Sequence, residues 1–367
     1  MKFYTMKKIV IFVDLLGGKG GTEKVINDVL VHYKDSSDFE LTIINFGSVS
    51  TKKWVNKQVK QFNILPFPFI QKIKGIRKVL FIFELLLFSL LKMDTVITVH
   101  IDTLKVLAMA RKINRRNFRI ASWIHFGLES SQLFSSKDIN AIKEYSDLFI
   151  SITDENTKIL LNRGYPAEKI ATVYNPVKRQ NRLIPSSNNK FISIGRLTFD
   201  KATPKNNKEM FDAFYLIKDL DWTLNIYGDG SDRSYEEEYV KKLGIGKNIN
   251  FLGWRDYPFE NITEAAAIIS TSTFEGFGLS MIEGISYGIP VISTDIEGPR
   301  IFLTLNNSLT YKLGDVSELA KILRCFIEKK IKFYPQFVNQ SIESFYEDNY
   351  FLKFDLILSG GNNDSSK

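Results

Sequence analysis

The chain has 367 residues, 44% of them apolar, and this length predicts two domains of about 150 to 200 residues rather than one core. A single cysteine excludes an internal disulfide and a cysteine-based metal cluster, and three histidines argue against a histidine-rich metal site. The formal net charge of +8 at pH 7 favours an anionic partner, which could be nucleic acid, a membrane surface or a phosphorylated substrate.

The first apolar run, at residues 9–13, predicts a β-strand rather than a secretion signal. The run is short and ends at Asp14, and a glycine-rich loop follows it in place of a small-residue cleavage site. We therefore expect the protein to stay in the cytoplasm. The loop, residues 17–21, leads into a helix, but its glycine spacing is not Gly-x-Gly-x-x-Gly and is by itself a weak signal of dinucleotide binding.

Short runs rich in Val and Ile alternate with helical stretches along the chain. This alternation is typical of parallel strands joined by crossover helices, so the sequence predicts an α/β fold with two doubly wound, Rossmann-like domains facing a cleft. Ligands of such sheets bind beyond the carboxyl ends of the strands. The predicted strands lie near residues 8–13, 40–46, 95–99, 119–125, 147–152, 170–174, 190–194, 223–227, 249–252, 266–271 and 290–294.

Residues 64–91 mix apolar and aromatic side chains with cations. The most apolar run of the chain, residues 79–88, is too short and interrupted for a membrane-spanning helix, which needs about 20 apolar residues. One interpretation is a buried crossover helix that ends at Lys92. The other is a basic, aromatic surface that lies on anionic lipid, and residues 67–78 favour it in part because they combine two phenylalanines with four cations.

A polar, proline-bearing stretch at residues 175–189 predicts a linker between the two halves. After it, the predicted strand 190–194 runs into Gly195-Arg196-Leu197, which puts Arg196 at the carboxyl end of a strand. Lys201 and Lys205 follow before a helix. A guanidinium and an ammonium group there would neutralise charge that builds on a leaving diphosphate, although a solvated basic loop is the alternative interpretation.

The glycine loop at residues 274–279 is the most informative stretch of the chain. The chain leaves the predicted strand 266–271, turns at Gly276 and Gly278, and enters a helix near Leu279 with free backbone N–H groups. Such a helix start attracts phosphate, because its N–H groups have no partner within the helix and the helix dipole favours negative charge.

Two glutamates eight positions apart flank this helix start. Glu275 lies in the loop beside the expected phosphate and sugar. Glu283 lies about one helical turn inside, where a carboxylate can accept hydrogen bonds from both hydroxyls of a ribose. The same spacing also occurs on solvated helices. The surrounding residues are therefore needed to decide whether this pair of glutamates marks a binding site.

Those residues resemble a known donor site. From Glu275 to Val291 the chain has a Glu, seven residues, a second Glu and then Gly-x-Pro-Val, which resembles the motif of family 4 glycosyltransferases, retaining enzymes of the GT-B fold. Gly-Arg-Leu followed by a lysine and a helix resembles the family's diphosphate clamp. Lys201 is slightly favoured over Lys205 as the clamp lysine by its distance from Arg196, but a small insertion at 202–204 leaves the choice open.

The resemblance implies roles for further residues. At Gly20 and Gly21 the backbone would approach the donor phosphate and the acceptor. His125, which without context would be a core or capping residue, would donate a hydrogen bond to a sugar hydroxyl. Gly228 would contact the base or the diphosphate, and the backbone near Gly253 and Trp254 would contact uracil. The implied catalytic residues are Glu275, His125, Arg196 and Lys201. The implied donor-binding residues are Gly20, Gly21, Arg196, Lys201, Lys205, Gly228, Gly253, Trp254, Glu275, Gly276, Phe277, Gly278, Leu279 and Glu283.

The function implied by the resemblance is that of the hexosyltransferases that extend lipopolysaccharide cores. Such an enzyme moves a hexose from UDP-hexose to a hydroxyl of a cell-surface glycan or lipid-linked acceptor. No Asp-x-Asp motif lies in a suitable loop, so we expect no metal and no cofactor other than the donor. A catalytically silent GT-B partner subunit and a sugar-nucleotide epimerase are the alternatives. Nucleic-acid binding is not expected, because the aromatic and basic residues form no base-stacking module.

The expected domain boundaries follow from the same interpretation. Residues 1–180 would form an acceptor-binding domain and residues 188–344 a nucleotide-sugar-binding domain. A last helix at 345–358 would return to the first domain, and the polar tail 359–367 would be disordered. The enzyme is expected in the cytoplasm, in peripheral contact with the anionic inner face of the plasma membrane.

Overall fold

The computed structural model of the chain describes residues 6–14, 16, 20–46, 54–64, 86–115, 117–125, 128, 135–200 and 204–360. Three predictions lie wholly or mainly outside the described residues. They concern the membrane-facing segment 67–78, the candidate lysine Lys201 and the tail from residue 361 onwards.

The chain folds into two compact units, each built around one parallel β-sheet. The first unit comprises Met1–Asn175 and Tyr350–Lys367, and the second comprises Pro176–Asn349. All strand pairings of the described residues are parallel, and most consecutive strands are joined through helices. The predicted α/β class with two doubly wound sheets is therefore confirmed.

The first unit has a seven-stranded sheet in the order β3-β2-β1-β4-β5-β6-β7. Its strands are β1 (Lys7–Asp14), β2 (Phe39–Phe46), β3 (Lys60–Ile64), β4 (Thr95–Thr98), β5 (Arg119–Trp123), β6 (Leu148–Ser151) and β7 (Ile170–Thr172). Its helices include α1 (Gly21–His32), α2 (Asp102–Asn114), α3 (Ser136–Tyr145) and α4 (Asp154–Asn162).

The second unit has a six-stranded sheet in the order β10-β9-β8-β11-β12-β13. Its strands are β8 (Ser186–Ile194), β9 (Thr223–Tyr227), β10 (Ile249–Gly253), β11 (Ala265–Ser270), β12 (Val291–Thr294) and β13 (Ser308–Tyr311). Its helices are α5 (Asn207–Tyr215), α6 (Arg233–Lys242), α7 (Leu279–Ser286), α8 (Val316–Ile327) and α9 (Pro335–Gln340), and α10 (Glu347–Ser359) begins in this unit and ends in the first.

The strand order of the second sheet reverses beside β8. This strand pairs with β9 on one side and with β11 on the other, so the connections that leave β8 and β11 run in opposite directions. In doubly wound sheets such a reversal opens a crevice at the carboxyl ends of the two strands, and ligands bind there. We therefore expect a ligand site of this unit beside the residues that follow Ile194 and Ser270.

An aromatic core fixes helix α5 against this sheet. Phe191 of β8 lies 5.5 Å from Phe214 of α5, measured between ring centroids, and Phe214 lies 4.5 Å from Trp222. All three side chains are buried. Full burial of one such side chain contributes about 1.5–3 kcal/mol, so this cluster holds the loop between β8 and α5 at both of its ends.

The sequence analysis missed two strands, β3 and β13. Both lie at an edge of their sheet, β3 reads Lys-Gln-Phe-Asn-Ile, and β13 has only four residues. An edge strand is not enclosed on both sides and does not need the continuous Val/Ile run of a central strand. Their short or polar sequences therefore gave no sign of a strand. The strands that were predicted are confirmed, with ends that differ by a few residues at most.

The linker predicted at residues 175–189 is wrong in its second half. Residues 186–189 form the beginning of β8, and the Asn188 side-chain amide donates to the carbonyl of Ile327 at 2.9 Å. The preceding residues are also tied to the second unit, because Ile184 N donates to Tyr287 O at 2.8 Å. Polar side chains in this strand satisfy backbone groups of neighbouring elements, and composition alone does not distinguish that use from a solvated linker.

Helix α10 extends to Ser359, one residue into the predicted tail. Its last carbonyl groups accept hydrogen bonds from cations of the first unit, from Arg119 Nη1 to Ile357 O at 3.0 Å and from Lys7 Nζ to Ser359 O at 2.5 Å. Cations at this end stabilise a helix because they complement its dipole and bind carbonyls that lack a partner within the helix. Among the helices of the described residues, none has the length and apolar character needed to cross a bilayer.

Candidate active site

A pocket lies in the second unit where the strand order reverses. The loop after β8 contributes Gly195 and Arg196, the loop after β11 contributes Thr271 and Ser272, and Lys205 and Asn207 come from the segment that leads into α5 and from its first residue. These residues follow the carboxyl ends of two neighbouring parallel strands, the position at which doubly wound sheets bind ligands.

Lys205, which lines the pocket, forms an ion pair with Glu275. Lys205 Nζ lies 2.5 Å from Glu275 Oε1, and the two side chains are 24% and 16% exposed. Ser272 Oγ donates to the same carboxylate oxygen at 2.8 Å. Thr294 Oγ1 in turn donates to Ser272 O at 2.6 Å, so the group that holds Glu275 is itself held by β12.

Helix α7 begins at the other end of the Glu275 loop. Its N-cap residue, Gly278, has φ +91° and ψ 45°, and a Cβ atom at this position would lie 2.7 Å from Met281 Cε and 3.0 Å from Pro299 Cγ. Only glycine fits both this backbone and this space. The helix starts at Leu279 as predicted, and Glu283 is half-buried in its second turn.

Phe277 anchors the same loop. Its side chain is buried, with its ring centroid 5.5 Å from that of Phe302. The side chain is therefore part of the core of the second unit, and only the backbone of this residue is available to a ligand. Gly276, the preceding residue, is half-buried.

Arg196 is exposed, and the structure gives its guanidinium no ion pair within the described residues. The backbone on either side of it is fixed by the turn after β9, because Gly195 N donates to Tyr227 O at 3.0 Å and Leu197 N donates to Asp229 O at 3.1 Å. The side chain is thus free to meet a ligand while its backbone is held in place.

Gly228 lies in the turn after β9, packed against the loop that carries Arg196. A Cβ atom on this residue would lie 1.7 Å from the carbonyl oxygen of Gly195, so its side-chain face is filled by protein backbone. Its N–H donates to Gly253 O at 3.0 Å. Gly228 therefore packs the turn after β9 against the loop that carries Arg196.

Gly253 ends β10 and Trp254 follows it, two strands away from β8. Trp254 is 39% exposed, and its Nε1 donates to Asp256 Oδ1 at 3.1 Å. The residue is open to a planar ligand, but the pocket lined by Arg196 and Lys205 does not include it.

The remaining predicted residues belong to the first unit. Gly20 is the N-cap of α1, Gly21 is its first residue, and the Glu23 carboxylate folds back against Gly20, with its Oε2 only 2.5 Å from where a Cβ of Gly20 would lie. This position agrees with a capping role for Glu23, because an acid in the third helical position commonly turns back to the N-cap.

His125 follows β5 and is buried beside Trp123, with 4.5 Å between the ring centroids. Burial lowers the pKa of His125 to about 3, so the imidazole is neutral at physiological pH. Its Nε2 has no hydrogen-bond partner among the described residues. A neutral ring with so low a pKa is a poor proton acceptor and is suited to hydrogen bonding.

The sequence analysis missed Ser272, Thr271 and Asn207. A signal was present, since a run of four hydroxyl side chains at residues 270–273 directly follows a buried strand. Asn207 also has a buried partner, because its Nδ2 donates to Glu236 Oε1 at 3.0 Å. Within the described residues, no group of three or more His, Cys, Asp or Glu is arranged to hold a metal ion.

Glu236 on α6 is fully buried, and burial raises its pKa to about 8 from an ordinary 4.5. The folded protein therefore keeps this carboxyl protonated between about pH 4.5 and 8, whereas the unfolded chain releases the proton. As the pH rises through that window, Glu236 should lower the free energy of unfolding by about 1.4 kcal/mol per pH unit. Above the window its contribution should no longer change.

Glu236→Gln is expected to remove this pH dependence. The difference in unfolding free energy between the variant and wild type should increase in favour of the variant from pH 5 to pH 8, as measured by urea unfolding at each pH. Glu237→Gln, which changes a half-exposed neighbour paired with Arg233, is the matched control and should leave the slope unchanged. If the unfolding free energies of wild type and Glu236→Gln change in parallel with pH, then the Glu236 carboxyl is not held neutral by burial.

Comparison with known proteins relates the chain to one family. The sequence profile described as Glycosyl transferases group 1 matches residues 175–343. The chain is 30% identical over 367 residues to the lipopolysaccharide 1,6-galactosyltransferase of Salmonella typhimurium, with coverage of 95% of this chain and 97% of the relative. The enzyme of the same name from Escherichia coli is 28% identical, with coverage of 94% and 96%. The solved apo form of the lipopolysaccharide outer core galactosyltransferase WaaB has a TM-score of 0.77 at 26% identity and covers 96% of this chain and 99% of that chain.

Proposed function

Because the chain belongs to the glycosyl transferases group 1 family, we propose that it transfers a hexose from UDP-hexose to a hydroxyl group of a cell-surface glycan or lipid-linked acceptor, with retention of the anomeric configuration. The chain is a glycosyltransferase with the GT-B fold and is similar over its length to lipopolysaccharide core galactosyltransferases. The observation that carries the finer proposal is the Lys205–Glu275 ion pair, whose lysine lines the same pocket as Arg196.

In this proposal the donor diphosphate binds between Arg196, Lys205 and the N-terminus of α7. The two cations neutralise the charge that develops as the nucleoside diphosphate leaves, and they do so without reorganisation because their backbones are already fixed. We assign the clamp to Lys205 in place of the slightly favoured Lys201. The reason is that Lys205 lines the pocket and that its ammonium group pairs with Glu275.

Glu275 orients the sugar and stabilises positive charge at its anomeric carbon. The acceptor oxygen forms the new bond to that carbon on the face from which the phosphate departs, and the hydroxyl proton passes to the departing phosphate oxygen. No enzyme nucleophile takes part in this scheme. Glu283, half-buried in α7, binds the ribose hydroxyls of the donor.

Glu275→Gln is expected to lower kcat by about 100-fold, because the amide keeps the shape of the carboxylate but removes the charge that acts in the transition state. The Kd for UDP, measured by titration calorimetry, should change by less than about threefold. Glu264→Gln is the matched control, since Glu264 is also paired with a lysine but precedes β11 at its opposite end. Equal losses in kcat and UDP affinity would make Glu275 a binding residue.

The proposed function is tested by incubating the protein with UDP-galactose, UDP-glucose or UDP-N-acetylglucosamine in the presence of EDTA and measuring thermal unfolding and sugar transfer. The names of the two galactosyltransferase relatives make UDP-galactose the first candidate. The true donor should raise the unfolding temperature by mass action and should be turned over when a truncated lipopolysaccharide core is added. Activity that appears only after manganese is added would contradict metal independence.

The two alternative functions give different results in the same experiment. A sugar-nucleotide epimerase would form a new UDP-sugar without any acceptor. A silent partner subunit would bind a UDP-sugar and transfer nothing to any core acceptor. Either result would overturn the proposed transferase activity.

We also propose that the enzyme works on the cytoplasmic face of the membrane and touches anionic lipid through residues 67–78. The sequence of this segment supports the proposal, because cations next to aromatic side chains suit a membrane surface. Wild type is expected to float with vesicles that contain phosphatidylglycerol at low salt and to be released by high salt. A variant with Lys72, Lys74, Arg77 and Lys78 changed to Gln should stay unbound, and failure of wild type to float would remove the proposal.

A further inference from the structure

The backbone turns sharply between the clamp lysine and helix α5. Asn206, the N-cap of α5, has φ 48° and ψ 46°, which is the left-handed region. A residue with a Cβ atom adopts this conformation at a cost in free energy, because the Cβ lies too close to the following carbonyl oxygen, although asparagine tolerates it better than most residues. Within the described residues only two other non-glycine residues, Arg115 and Lys329, have positive φ. The turn at Asn206 therefore needs contacts that hold it.

Glu209 supplies the contacts on one side of the turn. Its Oε2 accepts a hydrogen bond from Asn206 Nδ2 at 2.7 Å, and its Oε1 accepts one from the backbone N–H of Gly314 at 2.9 Å. Glu209 is 3% exposed and Asn206 is 1% exposed, so water does not compete for either contact. The carboxylate links the start of α5 to the loop that precedes α8.

Thr271 supplies the contacts on the other side. Its hydroxyl lies 3.1 Å from Lys205 O and 3.0 Å from Asn206 O and can donate to either carbonyl. The side chain of Asn206 is thus held by Glu209 while the two carbonyls of the turn are held by the end of β11. From this held backbone the Lys205 side chain reaches Glu275, with which it forms an ion pair.

We propose that Glu209 is a positioning residue for donor binding, because it holds the left-handed turn at Asn206 that directs the Lys205 ammonium into the diphosphate site. The proposal rests on the proposed function of that site. Glu209 does not line the pocket and touches no donor atom. Without its two hydrogen bonds the turn relaxes toward the right-handed region, and the ammonium leaves the position in which it meets the donor phosphate.

Glu209→Gln is the first test. An amide of the same shape is neutral and has one acceptor oxygen, so it cannot accept from both N–H donors, and any hydrogen bond that it keeps is weaker than one to a carboxylate. The variant is expected to bind UDP about 10-fold more weakly, which is about 1.4 kcal/mol. In a Lys205→Met background the same change should alter the Kd less than twofold, because the group that Glu209 positions is already gone.

Asp212→Asn is the matched control on the same helix. Asp212 also accepts two hydrogen bonds, from Lys208 Nζ at 2.5 Å and Tyr239 Oη at 2.6 Å, but on the outer face of α5. This variant should lose thermal stability and keep the UDP affinity of wild type within twofold. It separates a general loss of helix stability from a change at the clamp.

A second pair of variants keeps the proposal testable if Glu209→Gln does not fold. Asn206→Ala should weaken UDP binding more than Asn206→Gly, because glycine enters the left-handed region freely and alanine does not. Equal effects of the two changes would overturn the proposal.

Three further results have distinct meanings. Wild-type UDP affinity in Glu209→Gln overturns the positioning role and leaves the proposed function intact. A 10-fold loss that persists in the Lys205→Met background does the same, since Glu209 would then not act through the lysine. Failure of wild type itself to bind UDP overturns the proposed function and the positioning role with it.

Discussion

Lys205→Met is expected to lower kcat/KM for the UDP-hexose donor by about 10²–10³-fold, the usual cost of removing one preorganised charge from a transition state. Methionine keeps most of the length and the apolar stem of lysine, so the packing of the residue should survive. The ammonium is lost from a pocket in which it is only 24% exposed, where its interaction with a phosphate is screened less than at the surface. Steady-state kinetics with the donor varied gives the ratio directly.

Lys208→Met is the matched control for this change. Lys208 lies three residues further along the chain, is also paired with a carboxylate, Asp212, and is 41% exposed on the outer face of α5. Its replacement should leave kcat/KM within about twofold of wild type, because a half-exposed ion pair contributes little and no donor group reaches it. If both variants lose activity equally, or if Lys205→Met keeps wild-type activity, the diphosphate clamp is not at Lys205.

Gly228→Ala is expected to disrupt the second unit, with a loss of more than about 4 kcal/mol in unfolding free energy or a complete loss of UDP binding. The added Cβ would lie 1.7 Å from Gly195 O. This oxygen belongs to the backbone, so it cannot move aside as the end of a flexible side chain would. To relieve the clash the loop that carries Arg196 must move away from β9. Urea unfolding and UDP titration of the same sample measure the two effects together.

Gly244→Ala is the control for the backbone contribution. Gly244 has φ +72°, and a Cβ there meets no atom within 4 Å, so alanine is strained but not obstructed. We expect a cost of roughly 1–2 kcal/mol and unchanged UDP affinity. If Gly228→Ala loses no more stability than Gly244→Ala and still binds UDP, then the close approach of the two loops is not needed for the site.

The fold class and the glycine loop that carries Glu275 could be predicted because their signals are local. Central strands of a parallel sheet are buried on both faces and appear as continuous Val/Ile runs, so β1, β4 and β11 are visible without any tertiary information. The start of α7 at Leu279 is visible for a similar reason, since Gly278 must adopt a backbone that only glycine accepts.

The site contacts that the sequence did not reveal depend on partners far along the chain. Glu209 meets the N–H of Gly314, which is 105 positions away, and Lys205 meets Glu275 across 70 positions. The face of Gly228 from which a side chain would project is occupied by the carbonyl oxygen of Gly195. No rule based on periodicity or local spacing predicts contacts between residues so far apart in the sequence.

The sequence alone determined that this chain alternates strands and helices, forms two doubly wound sheets and carries a glutamate pair around a glycine turn. Each of these follows from the burial pattern or the backbone demands of neighbouring residues. Only the tertiary structure decided that Lys205 faces Glu275, that Glu209 supports the turn beside it and that residues 186–189 begin a strand. The physical reason is that a side chain's charge partner is set by which strands lie side by side in the sheet, and that order is not written in the local sequence.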